Sequence, residues 1–188
     1  MSPTAWTVRD IERDRETIDA IEGHDDCAAA IKASAYLEDR LTTTLEAHDI
    51  RPPSSFRQKI DTATRKGILS DHLASPLHTI REIRNEFAHS LSGLTFNSPS
   101  IVKFSENLMS IEQIRGLRAS TVECFPDCHD LVRAVSVLVA PMLELPETPR
   151  NTYMNAVKLM LFFIELLKAS AIMGDGDRLE ILPEMKIF

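Results

Sequence analysis

The sequence predicts an all-α fold, an antiparallel bundle of six to seven helices, and three observations carry that prediction. Apolar residues recur at steps of three and four through most of the 188 residues, the period of helices with one buried face. Six Gly, two Tyr and one Trp are too few for the turns and aromatic-rich strands of an all-β chain. Leu, Ala, Ile, Glu and Arg dominate instead, which favours helix. There is no strand–helix alternation and no glycine-rich loop set to hold phosphates. A chain of this length suits a single sizeable core.

Residues 7–22 mix charges with Val8, Ile11, Ile18 and Ile21, a sparse apolar stripe on a very charged helix that Gly23 stops. Residues 1–24 therefore read as a charged helical extension, 25–172 as the bundle, and 173–188 as a tail. Asp25 or Asp26 caps the next helix, which runs to about His48 with Ala30, Ile31, Ala35, Leu37, Leu41 and Leu45 in period. Its alanine-rich start lets another helix approach closely. Arg51-Pro52-Pro53 breaks the chain, and Ser54 or Ser55 caps a helix from Phe56 that Gly67 ends.

A turn at 70–75 is expected to lead into a helix over 76–89, with Pro76 in its first turn. Asn97-Ser98-Pro99 reads as loop, cap and first helical residue, opening a helix through about Met109. A short helix around Ile111–Leu117 and an extended Thr121–Phe125 follow. Asp127 caps a helix through Val139 that Pro141 kinks or ends. Thr148 or Asn151 starts a last long helix to about Ala171.

The net charge of −7 argues against unassisted DNA binding, which draws its energy from neutralised phosphates. That charge is uneven, with residues 51–84 at +4 and the remainder at −11. Three cysteines do not make a disulfide framework, so a reducing cytoplasm is expected. The start of the chain lacks the apolar run of a signal peptide, and Lys158 and Glu165 interrupt the most apolar stretch, so no membrane partner is expected. Cys124 and Cys128 read as structural and Gly174–Asp177 as a turn, leaving no expected metal or cofactor.

One polar cluster points to chemistry. Leu77, Ile80, Ile83 and Phe87 form the apolar stripe of the helix over 76–89, and Arg81, Arg84, Asn85 and His89 crowd the same segment. Arg81, Asn85 and His89 follow at i, i+4 and i+8, with Arg84 about 60° off Arg81. A structural reading stands beside the functional one. Arg84 could pair with Glu38 or Glu46 to pin the bundle, Asn85 could hydrogen-bond His89, and His89 could cap helix carbonyls.

The segment from Asp26 to Leu108 resembles the mannitol operon repressor (MltR) family. The residues that carry the likeness are Ala28–Glu38, Ser55–Ile60, Lys66–Leu69, Ile80–His89 and Leu94–Ile101, with Pro149-Arg150-Asn151 resembling the start of the family's last helix. Pro52-Pro53-Ser54 departs from it where a glycine is more usual. The resemblance implies a helical bundle and transcriptional regulation. The chain lacks a basic recognition helix, so action through a protein partner is expected rather than direct DNA reading.

The run Arg84-Asn85-x-x-x-His89 also resembles the motif of HEPN domains, helical bundles that dimerise and include metal-independent endoribonucleases. That likeness implies His89 as acid or base, Arg84 as the clamp on the phosphoryl oxygens, and Asn85 as an RNA-contacting amide, with two copies building the cleft. As a ligand- or partner-binding set, Arg81 and Asn85 stand first. A homodimer is expected on either reading, and RNA stays open as a partner.

Overall fold

A computed structural model describes residues 3–90, 93–110, 112–115 and 139–173, with side chains from Arg13 onward. All regular structure among the described residues is helical. Six helices are complete: α1 (Pro3–Glu22), α2 (Asp26–Ala47), α3 (Phe56–Arg65), α4 (Asp71–His89), α5 (Pro99–Ser105) and α6 (Pro149–Met173). Helical stretches at 112–115 and 139–144 bring the number among the described residues to eight, one above the expected range. The readings of Thr121–Phe125, Cys124, Cys128 and the tail lie outside the described residues.

The bundle is organised around α6. Tyr153–Val157 and Leu159–Leu167 are buried without a break, so this helix is buried on nearly all sides rather than along one stripe. It packs most extensively against α2 and then against α1, α4 and α5. The close approach to α2 follows from Ala29, Ala30 and Ala33, all fully buried, whose small side chains bring the backbones together. Tyr153 uses that proximity to donate its hydroxyl to Ala30 O at 2.9 Å. The Leu, Met and Phe stripe at 159–167 is therefore core.

Helix boundaries follow local chemistry. Asp25 caps α2 by accepting from Ala28 N, Ser55 caps α3 by accepting from Gln58 N, and Thr148 Oγ1 accepts from Asn151 N at the start of α6. Gly67 closes α3 with φ of +73°, and Ile68 N then bonds back to Ala63 O. A Cβ at Gly67 would meet nothing within 4 Å, so Gly67→Ala should cost only the left-handed conformation, about 1 kcal/mol, visible as a lower urea midpoint with unchanged slope.

Two boundaries differ from expectation. α4 begins at Asp71, so Pro76 lies inside it and is buried, rather than in the first turn. Ser70 O accepts from both Leu73 N and Ala74 N, and burial of Leu73 and Ala74 drives that extra turn. Pro76 then forfeits only the hydrogen bond to His72 O. α5 stops at Ser105, four residues before Met109, where Asn107 N and Leu108 N close turns onto Phe104 O and Ser105 O. The stretch at 139–144 runs three residues past Pro141.

The charged extension docks on the bundle. α1 packs against α6 and α2, with Ile18 and Ile21 in the core and Lys158 Nζ reaching Asp19 at 3.2 Å and Glu22 at 2.8 Å. Among the described residues no helix is long and apolar enough to cross a membrane.

Candidate functional site at the end of α4

Leu77, Ile80, Ile83 and Phe87 are buried as the periodicity predicts, which turns the other faces of α4 outward. His89, the last residue of the helix, is exposed, as are Glu86 and Ala88. Arg84 and Asn85 are half-buried, and Arg84 Nη1 donates to Asn85 Oδ1 at 3.0 Å. Arg84 also reaches toward the core. Burial raises the pKa of Tyr153, and the Arg84 charge works against that rise.

Two of the expected structural contacts, Arg84 with an acid of α2 and Asn85 with His89, take other partners. Lys59 Nζ, not Arg84, holds Glu38 at 2.7 Å, and Glu46 is exposed. Asn85 Oδ1 is taken by Arg84 rather than by His89. Among the described residues neither Arg84 nor His89 forms an ion pair with a carboxylate.

Arg81 shares the face of Asn85 and His89 only in register. Its Nη2 meets Glu82 at 3.3 Å, and its Nε is buried without a hydrogen-bond acceptor among the described residues. Arg84 and His89 lie about 140° apart around the helix at roughly 100° per residue. The four residues thus form an edge that wraps the helix end. The basic segment 51–84 is not a uniform positive face either, since Lys59, Arg57 and Arg81 pair with Glu38, Asp61 and Glu82.

A separate open groove of about 780 Å³ runs between α3 and α4, lined by Asp61, Arg65, Asp71, His78, Thr79 and Glu82 among others. His78 Nε2 lies 3.3 Å from Asp61 Oδ1 within it. Among the described residues no group of three or more His, Cys, Asp or Glu side chains is placed to hold a metal ion.

Behind the helix end sits a node that sequence reasoning missed. The rings of Phe87, Phe96 and Tyr153 stack in series at 5.1 Å between successive centroids, linking α4, the 93–98 loop and α6. Arg150 lies over Phe96 at 5.8 Å, pairs with Asp26, and donates to Glu22 O and His24 O at 2.7 Å each. Asp26 Oδ2 in turn accepts from Phe96 N at 2.9 Å. Asp25 serves as the cap of α2, and that leaves Asp26 free to make these contacts. The available signal was a second acid beside a cap and an arginine opening an apolar helix.

Comparison with known proteins finds no matching family model, no matching curated protein and no matching solved structure. The likenesses to the mannitol operon repressor family and to HEPN domains rest on the quoted residues alone.

Proposed function

We propose that this chain is a regulatory protein of the mannitol-operon-repressor type that acts through a protein partner, with the end of α4 as its contact surface. The observation that supports this reading is the set Arg84, Asn85 and His89. At this helix end the His89 imidazole is exposed and the half-buried Arg84 guanidinium meets no carboxylate among the described residues, which leaves hydrogen-bonding capacity for a partner. Such groups suit an acidic or carbonyl-rich patch on another protein. The net charge of −7 keeps duplex DNA an unfavourable direct ligand.

The test compares affinity-tagged wild type with Arg84→Glu and His89→Ala. One partner should co-purify reproducibly with wild type and be lost with Arg84→Glu, while far-UV circular dichroism stays unchanged. Tight binding of the purified chain alone to duplex DNA at physiological salt, with no partner recovered, would sink the reading.

A second reading, a metal-independent endoribonuclease of HEPN type, draws on the same three residues. An exposed imidazole is free to exchange protons with solvent and with a ribose 2′-hydroxyl. Arg84, held by Asn85, would then stabilise the phosphoryl oxygens, and a second copy would complete the cleft. On this reading His89→Ala should lower metal-free cleavage of single-stranded RNA by about 100-fold or more. The products should carry 2′,3′-cyclic phosphates. Equal cleavage by wild type and His89→Ala removes it.

A further inference from the structure

The end of α4 leaves unexplained a cluster of charges buried where α1 meets α2 and α6. Glu165, only 1% exposed, stands in the longest apolar run of the chain. Arg40 of α2 places its Nε 3.3 Å from Asp14 of α1 and 3.7 Å from Glu165 of α6. Tyr36 donates to the same Asp14 oxygen at 2.6 Å, and the Arg40 guanidinium lies over the Tyr36 ring at 5.3 Å. Lys168, one turn along α6, reaches Glu165 Oε2 at 3.4 Å. The charged groups acting on Glu165 are thus Lys168 of its own helix, Asp14 of α1 and Arg40 of α2.

One guanidinium nitrogen stands between two carboxylates, and its Nε is in hydrogen-bond alignment with neither. We propose that Asp14, Arg40 and Glu165 form a proton-controlled clasp, in which proton uptake by Glu165 tightens the docking of α1 on α2 and α6. A neutral Glu165 no longer repels Asp14, and Arg40 is released to serve Asp14 alone. α1 is a suitable element to be governed this way. Beside Ile18 and Ile21 in the core, its Asp14, Asp19 and Glu22 carboxylates reach Arg40 and Lys158, so ionic contacts take part in its attachment.

The direction of the pH effect follows from linkage. Burial, with the neighbouring Asp14 charge adding to it, raises the Glu165 pKa while α1 is docked. Undocking exposes Glu165 to water and returns it toward the ordinary carboxylate value. The docked state therefore binds the proton more tightly, and docking strengthens as pH falls through the raised value. A single proton can change the docking equilibrium by at most about tenfold per pH unit.

Hydrogen exchange of the full chain, followed by mass spectrometry and corrected for intrinsic rates, tests this between about pH 8 and about pH 5.5. Protection of α1 peptides should rise as pH falls in wild type and stay flat in Glu165→Gln, with α4 peptides as the internal reference. Glu165→Gln leaves every other titratable group in place, so the difference between the two proteins isolates Glu165. Should Glu165→Gln not fold, Asp14→Asn carries the test. Removing the like charge should then shift the change in protection to lower pH. Wild type and variant following the same curve, or α1 protection falling with acid in wild type, overturns the proposal.

Discussion

Replacing Phe96 with alanine should cost about 3–4 kcal/mol of stability. Phe96 is 1% exposed, although it lies in a loop between α4 and α5 rather than on a helix. Its ring touches Phe87 on one side and Tyr153 on the other, and Arg150 covers it. Truncation removes two aromatic contacts at once, each worth about 0.5–1.5 kcal/mol beyond area burial. The hole it leaves is walled by side chains of two helices, α4 and α6, so a shift of one alone cannot fill it. For a chain of this size the loss should appear as a fall of about 10 °C in the thermal midpoint. Phe104, only partly buried on the same core, provides the comparison, and Phe104→Ala should cost clearly less. Equal losses for the two, or a loss at Phe96 below about 1 kcal/mol, would show that the loop is not part of the core.

Helix class and most caps could be read from the sequence because they depend on residues close in the chain. Asp25, Ser55, Gly67 and Thr148 act on backbone groups within a few residues of themselves, and apolar period alone assigns Ile80, Ile83 and Phe87 to the core. The start of α4 was less legible. Serines and a proline between 70 and 76 resemble a turn, and only the burial of Leu73, Ala74 and Pro76 against the bundle makes that segment helical. The polar clusters were legible only as composition. Lys158 and Glu165 interrupt an apolar helix, which argues against a membrane span, yet each interruption also marks an ionic partner on another helix. Those partners, Asp19 and Glu22 for Lys158 and Arg40 for Glu165, lie more than a hundred residues away, beyond the reach of any local pattern. The same limit applies to Arg84. Its position in the motif was evident, but its hydrogen bond to Asn85 rather than to Glu38 depends on Lys59 already occupying that acid.

Arg150→Ala should cost about 2–3 kcal/mol, and the reason is the number of ends it joins. One guanidinium pairs with Asp26, donates to Glu22 O and His24 O, and covers Phe96. It therefore ties the end of α1, the start of α2, the loop after α4 and the start of α6. The pair is only partly buried, with side chains 30% and 23% exposed, so solvent screening puts the cost below the 3–5 kcal/mol typical of a broken buried pair. Asp26→Asn keeps an acceptor for Phe96 N but loses the charge that meets Arg150, and about 1 kcal/mol is expected. Combining the two substitutions should cost less than their sum by about 1 kcal/mol, the mark of a shared contact in a double-mutant cycle. Arg150→Lys separates charge from geometry. Lysine keeps the positive charge, but a single ammonium cannot address a carboxylate and two carbonyls in the planar fork that guanidinium offers, so most of the loss should remain. Strict additivity of Asp26→Asn and Arg150→Ala in chemical denaturation, or full rescue by lysine, would reduce the node to a surface ion pair. In that event the core beneath it, Phe87, Phe96 and Tyr153, would be what holds the end of α4 in place.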